Sequence, residues 1–147
     1  MTQTAARPHG RPLSPHLTIW KWGPHMLVSI LHRACGVALA IAGVFVFVWW
    51  LAALAGGPES YAGFHYWIVA ANDAGPLGKA ANVLAKVAAI GLTWALYQHL
   101  ANGVRHFVMD LGAGFELKIN RTGAIATIVF SVLATIATWA IILMKAN

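Results

Sequence analysis

"ACGVALAIAGVFVFVWWLAALA", residues 34–55, contains no charged side chain. As a helix rising about 1.5 Å per residue it would reach about 33 Å, enough to cross a hydrocarbon core about 30 Å thick. Two further stretches share this character. Residues 87–104, "VAAIGLTWALYQHLANGV", are uncharged, with Lys86 and Arg105 placed to snorkel at either end. Residues 122–144, "TGAIATIVFSVLATIATWAIILM", form the third. No stretch shows the ten-residue alternation of a membrane barrel. The chain is therefore expected to be an all-α integral membrane protein with three transmembrane helices, at about 25–55, 82–108 and 121–144.

Composition excludes the soluble alternative. Of 147 residues 59% are apolar and 10% charged, and the mean hydropathy is +0.67; a globular chain carries about 25% charged residues to coat its surface. The net charge of +6 does not imply nucleic acid, because the basic residues gather at the ends of apolar runs, where lipid headgroups account for them. The lone Cys35 excludes an internal disulfide and a multi-cysteine zinc or iron–sulfur site. Residues 1–24 form a polar, proline-broken segment without the apolar core or cleavage site of a signal peptide, so the segment is expected to be retained.

Pro24 suits a helix's first turn, so the first helix should begin near His25. Trp20 and Trp22 fit one interfacial belt, Trp49 and Trp50 the opposite one. Residues 56–78 read as a polar, glycine-rich loop and 110–121 as a short second loop. Arg7, Arg11, Lys21, Lys118 and Arg121 then share one side, against Lys79 and Lys145 on the other. By the positive-inside rule the N-terminus is cytoplasmic and the C-terminus periplasmic.

The second span carries the chemistry most visible in the sequence. Gly91, Ala95, His99 and Gly103 recur every four residues, a stripe of small side chains interrupted by one imidazole. Glycine one turn beyond a histidine clears room for a flat macrocycle, and imidazole is a common axial haem ligand. The same stripe also serves close helix packing, and a histidine at mid-span can bond across helices or relay protons. His99 is the only histidine at mid-span, so a second axial ligand would come from another chain. Arg105 and His106, near the cytoplasmic end, fit either a snorkelling anchor or partners for haem propionates.

In the first span, Ser29 and Arg33 are neighbours one turn apart, with His25, His32 and Gly36 in the same sector. Arg33 lies about 12 Å into the span. An unpaired arginine at the bilayer centre costs roughly 2.5–3.5 kcal/mol on insertion scales, so it should face a partner or a polar cavity. Serine and arginine beside an apolar wall suit the carbonyl end of a quinone. Serine bonding to its own helix is the plainer use of Ser29, and Cys35 reads as a small packing residue.

"RPLSPHLTIW" (11–20), "SILHRACG" (29–36) and "HLANGVRHFVMDLG" (99–112) together resemble the large cytochrome b membrane anchors of succinate dehydrogenase (complex II), of the mitochondrial and alphaproteobacterial branch. The resemblance covers the N-terminal segment, both motif helices and the three-span plan. It implies that His99 is an axial ligand of haem b, that Ser29 and Arg33 border a ubiquinone site near the cytoplasmic face, and that His32, Arg105 and His106 lie near the haem propionates. It further implies a complex with a flavoprotein, an iron–sulfur protein and a second, smaller anchor. That anchor would complete the helical bundle and supply the other haem ligand. Succinate oxidation would belong to partner subunits, and the tyrosine and tryptophan of the quinone site would also lie on partner chains. The location implied is a cell's inner membrane, or the mitochondrial inner membrane in a eukaryote. Two positions depart from the family pattern: Trp20 where tyrosine is usual, and Cys35 where serine or threonine is usual. Neither is an expected ligand. The alternatives are a haem-b anchor of another respiratory dehydrogenase and a proton-conducting transporter using His99, His106 and Arg33.

Overall fold

The computed structural model describes residues 21–146. The N-terminal motif and Trp20 lie outside the described residues, as does Asn147. Four helices follow in order: α1 Pro24–Ala55, α2 Pro58–His65, α3 Gly75–Asp110 and α4 Leu117–Ala146. Three of them, α1, α3 and α4, are long and apolar enough to cross a membrane. No strand occurs among the described residues. The three-span, all-helical plan read from the sequence is the plan of the fold.

Each boundary has a local cause. Pro24 opens α1 and Pro58 opens α2, positions where a missing N–H costs nothing. The end of α3 is a Schellman turn: Ala113 N–H donates to the Val108 carbonyl and Gly112 N–H to the Met109 carbonyl, at 3.2 and 2.8 Å. Gly112 closes it at φ 84°, a conformation that only glycine adopts without strain. Within α1, Leu39–Gly43 widen into a single π turn, which no feature of the hydropathy pattern announces.

The first connection is more ordered than its composition suggests. Where a glycine-rich loop is expected, α2 is followed by a π turn at Tyr66–Ala70 and a 3-10 turn at Ala71–Asp73. Its aromatic residues supply the reason: Phe64 packs edge-on against Trp49 of α1, ring centroids 4.9 Å apart. Tyr66 donates its hydroxyl proton to Asp73 at 2.8 Å, and that bond raises the phenol's pKa above its usual value. The second span starts earlier than its uncharged stretch, and Gly78 passes so close to the Ala71 carbonyl that any side chain there would collide.

The packing of α3 between its neighbours positions the site. Against α4 the contact is a polar ladder inside the span. Tyr97 donates to Thr138 at 2.8 Å, since the Thr138 hydroxyl is committed to the Ala134 carbonyl. Ser131 lies 2.8 Å from Gln98 Oε1, with a longer contact of 3.5 Å from Gln98 Nε2 to Thr127. Gln98, Asn102 and Ser131 are fully buried. Interhelical bonds of this kind contribute about 0.6 kcal/mol each on average, so the ladder sets the register of the two helices more than it drives their association. Against α1 the contact is made by small residues and histidines, with Val28 and Cys35 buried. The outward faces stay apolar: Ile41 and Phe45 are 70% and 67% exposed, facing hydrocarbon or another chain.

Candidate functional site

Helical periodicity puts His32 and Gly36 of α1 on the face that meets α3, one turn apart. On α3, His99 and His106 share a face two turns apart. Packing the two helices brings all three histidines into one cluster. The His32 and His99 rings stack with centroids 3.9 Å apart and planes inclined by 3°, and His106 lies 5.2 Å from His32.

His99 is held in one state by the main chain of α1. Its Nδ1 donates to the His32 carbonyl at 3.0 Å. A carbonyl can only accept, so a proton sits on Nδ1, and the tautomer this selects has its lone pair at Nε2. This is how an imidazole ligand is prepared for a metal: the second nitrogen is tied to a backbone oxygen, which fixes tautomer and orientation. His32 Nδ1 is itself a buried polar atom without a bond among the described residues. Among those residues, no three His, Cys, Asp or Glu side chains converge on a bare metal ion. One imidazole presented in this way would fit a prosthetic group that takes a single nitrogen ligand from this chain.

Of the small-residue stripe, Ala95 is buried and Gly103 faces the His32 ring; a methyl at 103 would lie 4.0 Å from His32 Cε1. Gly91 has no neighbour within 4 Å of such a methyl. The tighter glycine is Gly36. A methyl there would stand 3.0 Å from His99 Cε1 and 3.3 Å from Nδ1.

Arg105 points elsewhere. Its guanidinium turns toward α4, donating to Asn102 Oδ1 at 3.2 Å and to Asn120 Oδ1 at 2.9 Å. Asn102 donates its amide N–H to His106 Nε2 at 3.3 Å. Arg105 is thus one hydrogen-bonded residue removed from the histidine cluster. Gln98, Asn102 and Asn120 went unread in the sequence; amides in an otherwise apolar span, as at 98 and 102, are a signal for bonding inside a helical bundle, whereas Asn120 lay in the stretch read as a loop. Thr127, Ser131 and Thr135, repeating every four residues on α4, carry the same signal.

Ser29 and Arg33 sit on the flank of α1 next to the histidine face. The guanidinium lies 3.4 Å from Ser29 Oγ, too long for a strong bond, so both groups keep donor capacity for a third party. Arg33 is exposed and borders an apolar groove of about 530 Å³ lined with Ile30, Ala34, Val37 and Ala38. No carboxylate pairs with it among the described residues.

Three membrane-length helices with one imidazole held between two of them define the chain as a helical membrane subunit with a single inward-facing histidine site. Comparison with known proteins makes the assignment specific. Residues 7–138 match the succinate dehydrogenase/fumarate reductase transmembrane subunit family, and the chain belongs to it. It is 36% identical over 129 residues to the succinate dehydrogenase cytochrome b556 subunit of Rickettsia conorii, covering 88% of this chain and 90% of the relative. It is 35% identical over 126 residues to the mitochondrial cytochrome b560 subunit of Sus scrofa, covering 86% and 68%. The Homo sapiens counterpart is 36% identical over 125 residues, covering 85% and 68%. The chain is a membrane-anchor subunit of a succinate:quinone oxidoreductase.

Proposed function

We propose that this anchor binds haem b through His99 and borders, through Ser29 and Arg33, the site where ubiquinone is reduced. The observation that carries the reading is the bond from His99 Nδ1 to the His32 carbonyl, which leaves Nε2 as the ligating nitrogen. His99 Nδ1 bonds to a carbonyl and not to another titratable group, which disfavours a proton relay through the cluster. Bound there, haem b supplies a one-electron redox centre.

The remaining roles follow from what each side chain can donate. His32 and His106 are the ring donors available to the propionates, and Arg105 supports that end by holding Asn102, which in turn orients His106. Ser29 and Arg33 donate to a quinone carbonyl, while the Ile30–Val37 groove accommodates the apolar part of the molecule. The second haem ligand comes from a smaller anchor, and succinate is oxidised on a flavoprotein that passes electrons through an iron–sulfur protein. The side bearing the N-terminus and the α3–α4 turn faces the cytoplasm, in keeping with its excess of basic residues.

The test is the visible spectrum of the assembled complex with His99→Leu. Loss or alteration of the low-spin haem signal is expected. An unaltered spectrum at normal assembly refutes the ligand assignment.

A further inference from the structure

We infer that Gly36 is a positioning residue for the His99 imidazole, acting together with the main-chain carbonyl of His32. The inference rests on the reading of His99 as the haem ligand, and it adds what sets the ring's plane. His32 and Gly36 are one helical turn apart, so the His32 carbonyl points along the axis toward the notch that the missing Gly36 side chain leaves. The imidazole fills that notch. Its Nδ1 bonds the carbonyl at 3.0 Å, and its Cε1 and Nδ1 lie 3.0 and 3.3 Å from where a Cβ at Gly36 would stand. The His32 ring stacks on it at 3.9 Å with planes inclined by only 3°.

These three contacts leave the ring little room. A methyl at position 36 is closer to the His99 ring than ordinary van der Waals contact, so the ring must give by a few tenths of an ångström. Rotation of the ring away from it weakens the Nδ1 bond. The methyl therefore alters both the orientation of the imidazole and the hydrogen bond that strengthens it as a donor to iron. Loss of such an outer partner typically weakens metal binding about 10- to 100-fold.

The experiment uses the whole complex in membranes, with assembly scored by flavin content. Gly36→Ala is expected to shift the low-spin ferric haem g-values in electron paramagnetic resonance and to release haem about tenfold more readily during detergent washing. Gly43→Ala, seven residues on in the same span, is the control. A methyl there meets only the Leu39 side chain, at 3.7 Å, and wild-type g-values are expected.

Wild-type g-values and haem retention in Gly36→Ala overturn the inference, as does an equal shift in Gly43→Ala. Either result leaves the ligand reading intact if His99→Leu abolishes the signal. If His99→Leu changes nothing, it is the ligand reading that fails. Should Gly36→Ala not assemble, electron–nuclear double resonance on the wild-type complex decides. An axial-imidazole Nδ1 proton that exchanges slowly in D2O is expected, and rapid exchange of every such proton overturns the inference.

Discussion

Substitutions at Ser29 and Arg33 should separate quinone chemistry from succinate oxidation. In the structure the two side chains are 3.4 Å apart, so neither is saturated by the other. Ser29→Ala then removes one neutral hydrogen bond to a quinone carbonyl, about 0.5–1.5 kcal/mol, or roughly two- to tenfold in affinity. Arg33→Leu removes a charged donor, about 1.5–3 kcal/mol, or roughly 10- to 150-fold. The leucine is comparable in apolar bulk to Ile30 and Val37, so the groove itself should survive. Arg33→Lys should fall between, because it keeps the charge and loses the planar fork. The assay runs two reactions on the same membranes, normalised to flavoprotein. One is succinate–ubiquinone turnover; the other is succinate oxidation by a soluble dye that collects electrons at the flavin. Quinone turnover should fall with a raised KM for quinone while dye reduction stays unchanged. A parallel fall in both would show that the residues support assembly, and no fall in either would reduce them to a helix-bonded serine and a lipid-facing arginine.

Two other perturbations test the scaffold. Gln98→Leu deletes the buried bond to Ser131, but Ser131 retains its own helix's Ile128 carbonyl at 2.9 Å; a loss of about 1 kcal/mol is expected in detergent unfolding, and a loss above about 3 kcal/mol would mean that more than this bond depends on the amide. A reporter fused after Asn147 and active only in the cytoplasm should stay silent, whereas activity there would reverse the orientation drawn from the basic residues.

The fold was legible because a membrane simplifies the rules. Hydrocarbon cannot hydrogen-bond an unpaired peptide group, so an uncharged run such as residues 34–55 must become a helix, whatever surrounds it. His99 stood out for the same reason, as the only histidine at mid-span. What the sequence could not decide were facts of rotation and contact between helices. Arg105 and His106 are adjacent in the chain, yet consecutive residues on a helix diverge by about 100°; one turns to Asn120 on α4 and the other toward His32 on α1. The amide and hydroxyl ladder at Gln98 and Ser131 acquired meaning only when α3 met α4 in a particular register. Gly36 read only as a member of the helical sector that holds Ser29, His32 and Arg33. Only packing revealed that the imidazole 63 positions later occupies the space its absent side chain leaves, because steric exclusion belongs to the pair of helices and is written in neither one alone.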